Sequence, residues 1–150
     1  MAGKFFEELN VGDTFEHQPS RTVTETDNLI FTTMTHNPQP LHLDAEFARA
    51  SIHGQILVNS IFTLGLVVGL SVADTTLGTT LGNLGFDKTL FPNPVFVGDT
   101  LTAASTVEDK RESKTKPDRG IVTFKHTMTN QRGEVVCSCM RGAMMMRKPI

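Results

Sequence analysis

The sequence predicts an α+β domain in which an antiparallel sheet wraps around one long apolar helix. An apolar stretch with helical spacing runs over residues 57–72. Segments with strand-like alternation follow from residue 79 onwards, and turn residues separate them. The length of 150 residues suits one domain with one core, which we place at residues 1–150.

The charge balance narrows the classes of partner. Lys and Arg number 14 and Asp and Glu number 16, which gives a formal net charge of −2 at pH 7. Nucleic acids and anionic membranes bind basic surfaces, so we expect neither as a partner. Residues 1–10 lack the apolar core of a signal peptide, and no apolar stretch reaches the roughly 20 residues that span a bilayer. We therefore expect a cytoplasmic protein in which Cys137 and Cys139 are reduced packing residues.

The first part of the chain predicts two short strands and a capped helix. The strands lie at residues 14–16 and 21–24, on either side of a turn at Pro19. Thr24 can cap the first turn of the helix that follows. Asp27, three residues later, can accept a hydrogen bond from the backbone N–H of Thr24. The apolar residues that share one face of this helix are Ile30, Phe31 and Met34.

Two prolines shape the segment after this helix. Pro38 and Pro40 each lack an N–H and force the preceding residue towards an extended conformation. We therefore predict a rigid, non-helical loop at this point. A second short helix then begins at an Asp44 cap, directs Phe47 towards the core and ends near residue 50.

The apolar stretch at residues 57–72 predicts a buried helix, because its apolar side chains surround the helix on nearly every side. These side chains are Val58, Ile61, Phe62, Leu64, Leu66, Val67, Val68, Leu70 and Val72. The helix is too short to span a membrane, so a sheet must cover it.

The remaining chain supplies that sheet. The strand segments are residues 79–91, 100–108, 121–129 and 134–146. The polar run at residues 111–120 predicts a loop, and residues 130–133 predict a hairpin turn. Alternation places Leu101, Ala103, Ser105 and Val107 on one face, and likewise Val122, Phe124, His126 and Met128. One buried helix followed by a long antiparallel meander is the arrangement of a hot-dog fold.

The candidate chemistry lies in residues 35–44, Thr-His-Asn-Pro-Gln-Pro-Leu-His-Leu-Asp. The two prolines present His36, Asn37, Gln39 and His42 from a stiff backbone, as catalytic loops often do. Histidine exchanges a proton near neutral pH at little cost. A lone histidine in a loop is more often structural, so the pattern alone leaves both roles of His42 open. His126, on an inward strand face, is interpreted as a hydrogen-bonded core histidine.

Four segments of the chain resemble the MaoC-like (R)-specific enoyl-CoA hydratases. Thr24-x-x-Asp27-x-x-x-Phe31 and then Asn-Pro-Gln-Pro-Leu-His-Leu-Asp at residues 37–44 resemble the family's histidine signature. Gly-Gln-Ile-Leu-Val-Asn-Ser-Ile at residues 54–61 resembles its entry into the central helix. Pro-Val-Phe-Val-Gly-Asp-Thr-Leu at residues 94–101 and the hairpin at 130–136 are also similar. The resemblance covers nearly the whole chain and keeps its order.

The resemblance implies roles for five residues. In this family an Asp and a His act together on a water molecule and an enoyl thioester. The histidine position matches His42 and the Asp position falls on Asn37, which can orient a water molecule but cannot accept its proton. The family's Asn is Gln39, and its His-Gly pair before the central helix is Asn59 and Ser60. The Ser60 backbone N–H is the implied donor to the thioester oxygen, aided by the helix dipole.

The implied function is a hydro-lyase that reversibly hydrates a 2-enoyl-CoA thioester. The Asn-Pro-Gln-Pro-Leu-His variant is similar to a subgroup that acts on branched or dicarboxylic C5 acyl-CoAs, such as itaconyl-, mesaconyl- or methylglutaconyl-CoA. His36 and His53 could then accept a distal carboxylate, although an ordinary polar role in the loop is the alternative. A thioesterase on the same fold and a non-catalytic acyl-CoA-binding subunit are the competing functions, the second because Asn37 replaces Asp.

No metal and no cofactor beyond the coenzyme A of the substrate are expected. A single hot-dog sheet exposes one face and its edges, so we expect at least a homodimer. The basic residues of the 111–120 segment either form a solvated loop or meet the phosphates of coenzyme A. They are Arg111, Lys114, Lys116 and Arg119.

Overall fold

The computed structural model describes residues 3–149. The α-helices in this range are α1 (Glu25–Met34), α2 (Pro40–Leu43), α3 (Ala45–Ala50) and α4 (Ser60–Thr75). The strands are β1 (Thr14–Glu16), β2 (Arg21–Thr22), β3 (Thr80–Leu90), β4 (Thr100–Glu112), β5 (Arg119–Thr129) and β6 (Val135–Met146). The predicted order, helices first and a strand meander afterwards, is confirmed.

The six strands form an antiparallel sheet in the order β1-β4-β5-β6-β3, with β2 also paired to β4. Side chains alternate between buried and less buried along β4 and β5, as the sequence predicts. The buried face packs on α4, whose Val67 belongs to the same apolar cluster as Leu101 and Met128. The predicted α+β hot-dog architecture is therefore confirmed.

The loop predicted at residues 111–120 is shorter in the structure. Arg111 pairs with Ile121 and Glu112 pairs with Gly120, so the β4–β5 ladder includes both ends of the predicted loop and leaves residues 113–118 as the connection. Strand pairing uses backbone groups and continues past the buried part of the sheet, so polar side chains do not end it. Gly120 also permits close packing here, because a Cβ at this position would lie 2.2 Å from a ring atom of Phe6.

Helix α4 begins and ends three residues later than the apolar stretch that predicted it. Val58 is extended instead, and its N–H donates to the Val95 carbonyl at 2.9 Å, while Leu57 bridges to Phe96. The fully buried residues of α4 are Thr63, Val67, Ser71 and Thr75, which are small. The prediction that this helix is buried on every side is wrong for the single chain, because Ile61 is 54% exposed.

The helix caps follow the sequence, but one core assignment does not. Thr24 Oγ1 accepts from the Asp27 N–H at 3.1 Å, and an Asp27 carboxylate oxygen accepts from the Thr24 N–H at 2.8 Å. Asp44 Oδ1 accepts from the Phe47 N–H at 3.0 Å and so caps α3. Phe47 itself is 50% exposed, and the neighbouring Ala48 is the buried residue of α3. The prediction that Phe47 faces inward is therefore wrong.

A chain of buried polar side chains crosses the inner face of the sheet. Arg141 Nε lies 3.1 Å from His126 Nε2, and His126 Nδ1 lies 2.6 Å from Ser105 Oγ. Ser105 Oγ lies 2.7 Å from His17 Nε2, and His17 Nδ1 lies 2.8 Å from Asp74 Oδ2. Four of these side chains are buried, and only Asp74, on α4, reaches solvent. This series of hydrogen bonds connects the end of the central helix to three strands.

The chemistry of the end groups favours one direction of proton donation along these hydrogen bonds. A guanidinium only donates, so His126 accepts at Nε2 and carries its proton on Nδ1. The His126 Nδ1–H then donates to Ser105, whose hydroxyl donates to His17 Nε2. The His17 Nδ1–H donates to the Asp74 carboxylate. The charges of Arg141 and Asp74 stand at opposite ends of this series of hydrogen bonds.

Acid should destabilise the fold through His126. Burial, together with the charge of Arg141, lowers the pKa of His126 to about 3, far below its ordinary 6.5. Below pH 6.5 the folded state then binds fewer protons than the unfolded state. The free energy of unfolding is therefore highest above pH 6.5 and falls as the pH falls towards 3. At about 1.4 kcal/mol per pH unit, the free energy of unfolding should fall by about 2 kcal/mol between pH 6.5 and 5.

Urea unfolding of the wild type and of His126→Gln, at pH 7.5 and pH 5.0, measures this effect. The variant lacks the titrating group, so its free energy of unfolding should depend less on pH than that of the wild type. Equal pH dependence in the two proteins would show that His126 is not responsible.

Candidate active site

His42 lies on α2, a single helical turn, and not on a non-helical loop as predicted. Pro40 is the first residue of this turn, where a proline fits because that position needs no N–H donor. The His42 N–H donates to the Gln39 carbonyl at 3.1 Å, and the Asp44 N–H donates to the Pro40 carbonyl at 2.9 Å. The prolines therefore give His42 a stiff backbone, as the sequence predicts, but Pro40 does so by starting a helix.

The imidazole of His42 has a defined orientation and tautomer. Its Nδ1 lies 2.7 Å from the carbonyl oxygen of Leu57. A carbonyl oxygen only accepts, so Nδ1 carries the proton and Nε2 of the neutral ring keeps its lone pair. The ring is half-buried. This arrangement leaves Nε2 able to accept a proton from a water molecule, as a general base must.

Asn28 connects the histidine turn to the start of the central helix. Its side-chain NH2 donates to the His42 carbonyl at 3.0 Å, and its Oδ1 accepts from the Asn59 N–H at 2.9 Å. Asn28 is 2% exposed. The Asn59 side chain in turn lies 3.3 Å from the hydroxyl of Thr32, which also faces inward from α1. The sequence analysis missed Asn28, and the only signal was a pair of polar residues, Asn28 and Thr32, four positions apart on α1.

Asn59 and Ser60 form the N-terminus of α4. Asn59 is the N-cap residue, is buried, and accepts from the Ile61 N–H through Oδ1 at 3.0 Å. Ser60 is the first helical residue and is exposed. The helix itself leaves the first N–H groups without partners, and the helix dipole makes this end positive. The Ser60 N–H therefore stands where a developing oxyanion could be stabilised.

Three further sequence-predicted residues lie just before α2. Asn37 Oδ1 accepts from the Gln39 N–H at 3.0 Å, which closes a turn of the kind that asparagine favours. Gln39 is the N-cap residue of α2, and His36 is exposed with a positive φ of 55°. These contacts link Asn37 to Gln39 and explain the turn. The functional roles predicted for the three residues stay predictions.

A cavity of about 220 Å³ opens beside the start of α4. Leu57, which holds the His42 ring, and Ser60 both line it, whereas His42 itself is not among the lining residues. The other lining residues are Val58, Thr63, Phe91, Asn93, Pro94, Val95 and Val136. None of the nine lining residues carries a charge.

Other candidate centres are less suited to chemistry. Cys137 and Cys139 are free and buried, and burial raises the pKa of the Cys137 thiol to about 12, so it stays protonated. His126 is bonded on both ring nitrogens, which confirms its interpretation as a core histidine. Among residues 3–149, no group of three or more His, Cys, Asp or Glu side chains is arranged to hold a metal ion. No helix in the same range is long and apolar enough to cross a membrane.

A long helix covered by an antiparallel sheet, with a histidine fixed beside the start of that helix, defines a hot-dog-fold protein with a candidate acid–base site. The family model described as MaoC like domain matches residues 7–130. The chain belongs to this family, as the sequence resemblance predicts.

Known proteins with similar sequences and structures support this assignment. The chain is 33% identical to the mesaconyl-CoA hydratase of Cereibacter sphaeroides over 98% of its own length and 42% of that protein. It is 30% identical to the beta-methylmalyl-CoA dehydratase of Chloroflexus aurantiacus, over 97% and 41% of the two chains. The crystal structure of a MaoC-like dehydratase from Rhodospirillum rubrum has a TM-score of 0.85 and 34% identity, over 99% and 100% of the two chains. The chain thus spans about two fifths of the length of the two curated relatives.

Removing the Asn28 side chain should destabilise the protein. Asn28→Ala leaves the His42 carbonyl and the Asn59 N–H without their partner, and each such loss costs about 1–3 kcal/mol when the group is buried. We expect the free energy of unfolding in urea to fall by about 2–6 kcal/mol. Asn83→Ala, at an exposed position on β3, is the matched control and should change it by less than about 0.5 kcal/mol. Equal stability of the two variants would contradict the bridging role.

Proposed function

We propose that this protein is a hydro-lyase that reversibly hydrates a 2-enoyl-CoA thioester. The observation that carries the proposal is the His42 ring, held through Nδ1 on the Leu57 carbonyl, three residues before the first N–H of α4. Support comes from membership in the MaoC-like family and from relatives named mesaconyl-CoA hydratase and beta-methylmalyl-CoA dehydratase.

In the hydration direction, His42 Nε2 takes a proton from water while the water oxygen attacks C3 of the enoyl chain. The π electrons between C2 and C3 move towards the thioester carbonyl, whose oxygen gains negative charge. The Ser60 N–H and the α4 dipole stabilise this charge. The proton on the imidazolium is then delivered to C2, so the elements of water are added across the double bond. Dehydration reverses these steps.

Asn37 in place of the family's Asp changes which residues transfer protons. Its amide has no group that accepts a proton at neutral pH, so both proton transfers fall to His42. Asn37 Oδ1 already accepts from the Gln39 N–H. Asn37 therefore supports the turn and is left with its NH2 group to orient a water molecule.

Because of the relatives' names, we propose mesaconyl-CoA and other C5 thioesters as candidate substrates. His36 and His53 are the sequence-predicted partners of a second carboxylate in such substrates. Neither residue lines the cavity beside α4. Coenzyme A enters as part of the substrate.

We propose that the protein acts as a homodimer. Strand β3 lies at the edge of the sheet, where unpaired backbone groups favour pairing with another strand. Its large apolar residues are exposed by 42–61%: Leu81, Leu84, Phe86 and Leu90. A second copy of the chain would cover this surface.

One assay tests the proposed function against its two alternatives. The purified protein is mixed with crotonyl-CoA, mesaconyl-CoA and other C5 enoyl-CoAs. Hydration removes the enoyl absorbance and leaves the thioester intact. A thioesterase would release free thiol instead. Binding without turnover would identify an acyl-CoA-binding subunit.

Replacing His42 should abolish turnover without unfolding the protein. His42→Ala removes the only proposed proton carrier, so kcat for crotonyl-CoA should fall by at least about 10²-fold. His53→Ala is the control, because crotonyl-CoA has no second carboxylate for His53 to contact. Urea unfolding checks that both variants are folded. Unchanged activity of His42→Ala would remove His42 from the mechanism.

Restoring the family's carboxylate should raise activity on simple enoyl-CoAs. In Asn37→Asp a carboxylate oxygen can still accept from the Gln39 N–H, so the turn is retained while a proton acceptor is added. We expect a higher kcat/KM for crotonyl-CoA. Complete loss of activity in a folded variant would contradict the alignment of Asn37 with the family's Asp.

A further inference from the structure

The cavity beside α4 has the size and chemistry of a pocket for a short, uncharged chain. Its volume of about 220 Å³ is about seven times the volume of a water molecule in the liquid. Six of its nine lining residues are apolar, and the polar ones are Ser60, Thr63 and Asn93. A carboxylate buried against this lining would meet no cation, which is strongly unfavourable.

Thr63 is an unusual member of this lining. It is 1% exposed, and its Oγ1 has no hydrogen-bond partner within residues 3–149. Two other buried hydroxyls of α4 are satisfied within the helix. Ser71 donates to the Val68 carbonyl at 2.7 Å, and Thr75 donates to the Ser71 carbonyl at 2.5 Å. Thr63 therefore carries an unused hydrogen-bonding group at a cavity wall, where a ligand can satisfy it.

The spacing along the helix relates this hydroxyl to the oxyanion position. Ser60 and Thr63 are three residues apart and line the same cavity. Three residues of helix rise by about 4.5 Å. When the thioester oxygen of an acyl chain accepts from the Ser60 N–H, C3 lies two carbon–carbon bonds from the thioester carbonyl carbon. C3 is the atom that gains an oxygen in hydration and loses it in dehydration.

We propose that Thr63 is a substrate-binding residue whose hydroxyl hydrogen-bonds the oxygen on C3 of a short, uncharged acyl chain held in this cavity. The identity of that oxygen rests on the proposed hydratase function. The contact forms as the water oxygen bonds to C3, so it exists in the transition state and with the 3-hydroxyacyl thioester. It does not exist with the enoyl chain alone, so Thr63 stabilises the transition state relative to bound enoyl-CoA.

A binding experiment tests the contact without turnover. In the His42→Ala background, calorimetry measures the Kd of butyryl-CoA and of each enantiomer of 3-hydroxybutyryl-CoA. Adding Thr63→Val should weaken the better-bound enantiomer about tenfold and change butyryl-CoA by less than about twofold. Thr63→Ser should keep the affinity for the hydroxylated ligand. Equal changes for both ligands, or no change, would overturn the proposal.

Steady-state kinetics give a second signature. The equilibrium constant is fixed, so Thr63→Val must lower kcat/KM about equally in both directions, by about tenfold. For crotonyl-CoA, which has no oxygen on C3, the loss should appear in kcat. For 3-hydroxybutyryl-CoA it should appear in KM. A loss confined to KM in the hydration direction would overturn the proposal.

Stability separates a binding role from a structural one. Thr63→Val removes an unsatisfied hydroxyl and should leave Tm unchanged or raise it. Thr75→Val, the matched control on the same helix, removes a satisfied hydroxyl and should lower Tm. Thr75→Val should also leave the ratio of the two Kd values unchanged. A Tm for Thr63→Val as low as that for Thr75→Val would assign Thr63 to the fold and overturn the proposal.

The arms distinguish failure of this inference from failure of the proposed function. Absence of hydratase turnover in the wild type would remove the function, whereas the calorimetric difference between the two ligands would still support the Thr63 contact. In the same His42→Ala background, tighter binding of mesaconyl-CoA than of crotonyl-CoA would overturn the claim that the chain in the cavity is uncharged.

Discussion

The candidate site depends on the hydrogen bond between His42 Nδ1 and the carbonyl of Leu57. This bond exists because α4 begins at Ser60. The apolar pattern instead predicts a helix that starts at residue 57. In a helix starting at residue 57, the Leu57 carbonyl would accept from the Ile61 N–H. Asn59 caps that N–H instead, and the extended Val58 pairs with Val95. The late helix start thus frees the carbonyl that fixes the tautomer of His42.

The buried faces of β4 and β5 could be predicted from the sequence because they follow from alternation. The inner face of α1 could not. The apolar residues Ile30 and Met34 are more than half exposed, whereas Asn28 and Thr32 are buried. Their burial is stabilised by hydrogen bonds to the start of α4 and, from Asn28, to the His42 carbonyl. Such bonds between distant segments leave no periodic signal, so His42 was found by its motif and Asn28 was missed.

The buried polar chain shows the same limit inside the sheet. Alternation placed Ser105 and His126 on the inner face, and the structure confirms both positions. Alternation does not show that Arg141 would be bonded to His126, or that Asp74 on α4 would bond to His17. A guanidinium at one end and a carboxylate at the other force one direction of proton donation. This constraint favours one register of helix against sheet, because a displaced helix would leave buried donors and acceptors unpaired.

The turn before α2 is compatible with the proposed replacement of the family's Asp by Asn37. The turn at Asn37 needs an oxygen acceptor for the Gln39 N–H, and an amide supplies one as well as a carboxylate does. Only the proton acceptor is lost. His42 is supported by a neutral carbonyl, and a neutral acceptor stabilises an imidazolium less than a carboxylate would. In the proposed mechanism, proton transfer is then concentrated on the His42 ring, and hydroxyl and amide groups around it would orient the oxygen on C3.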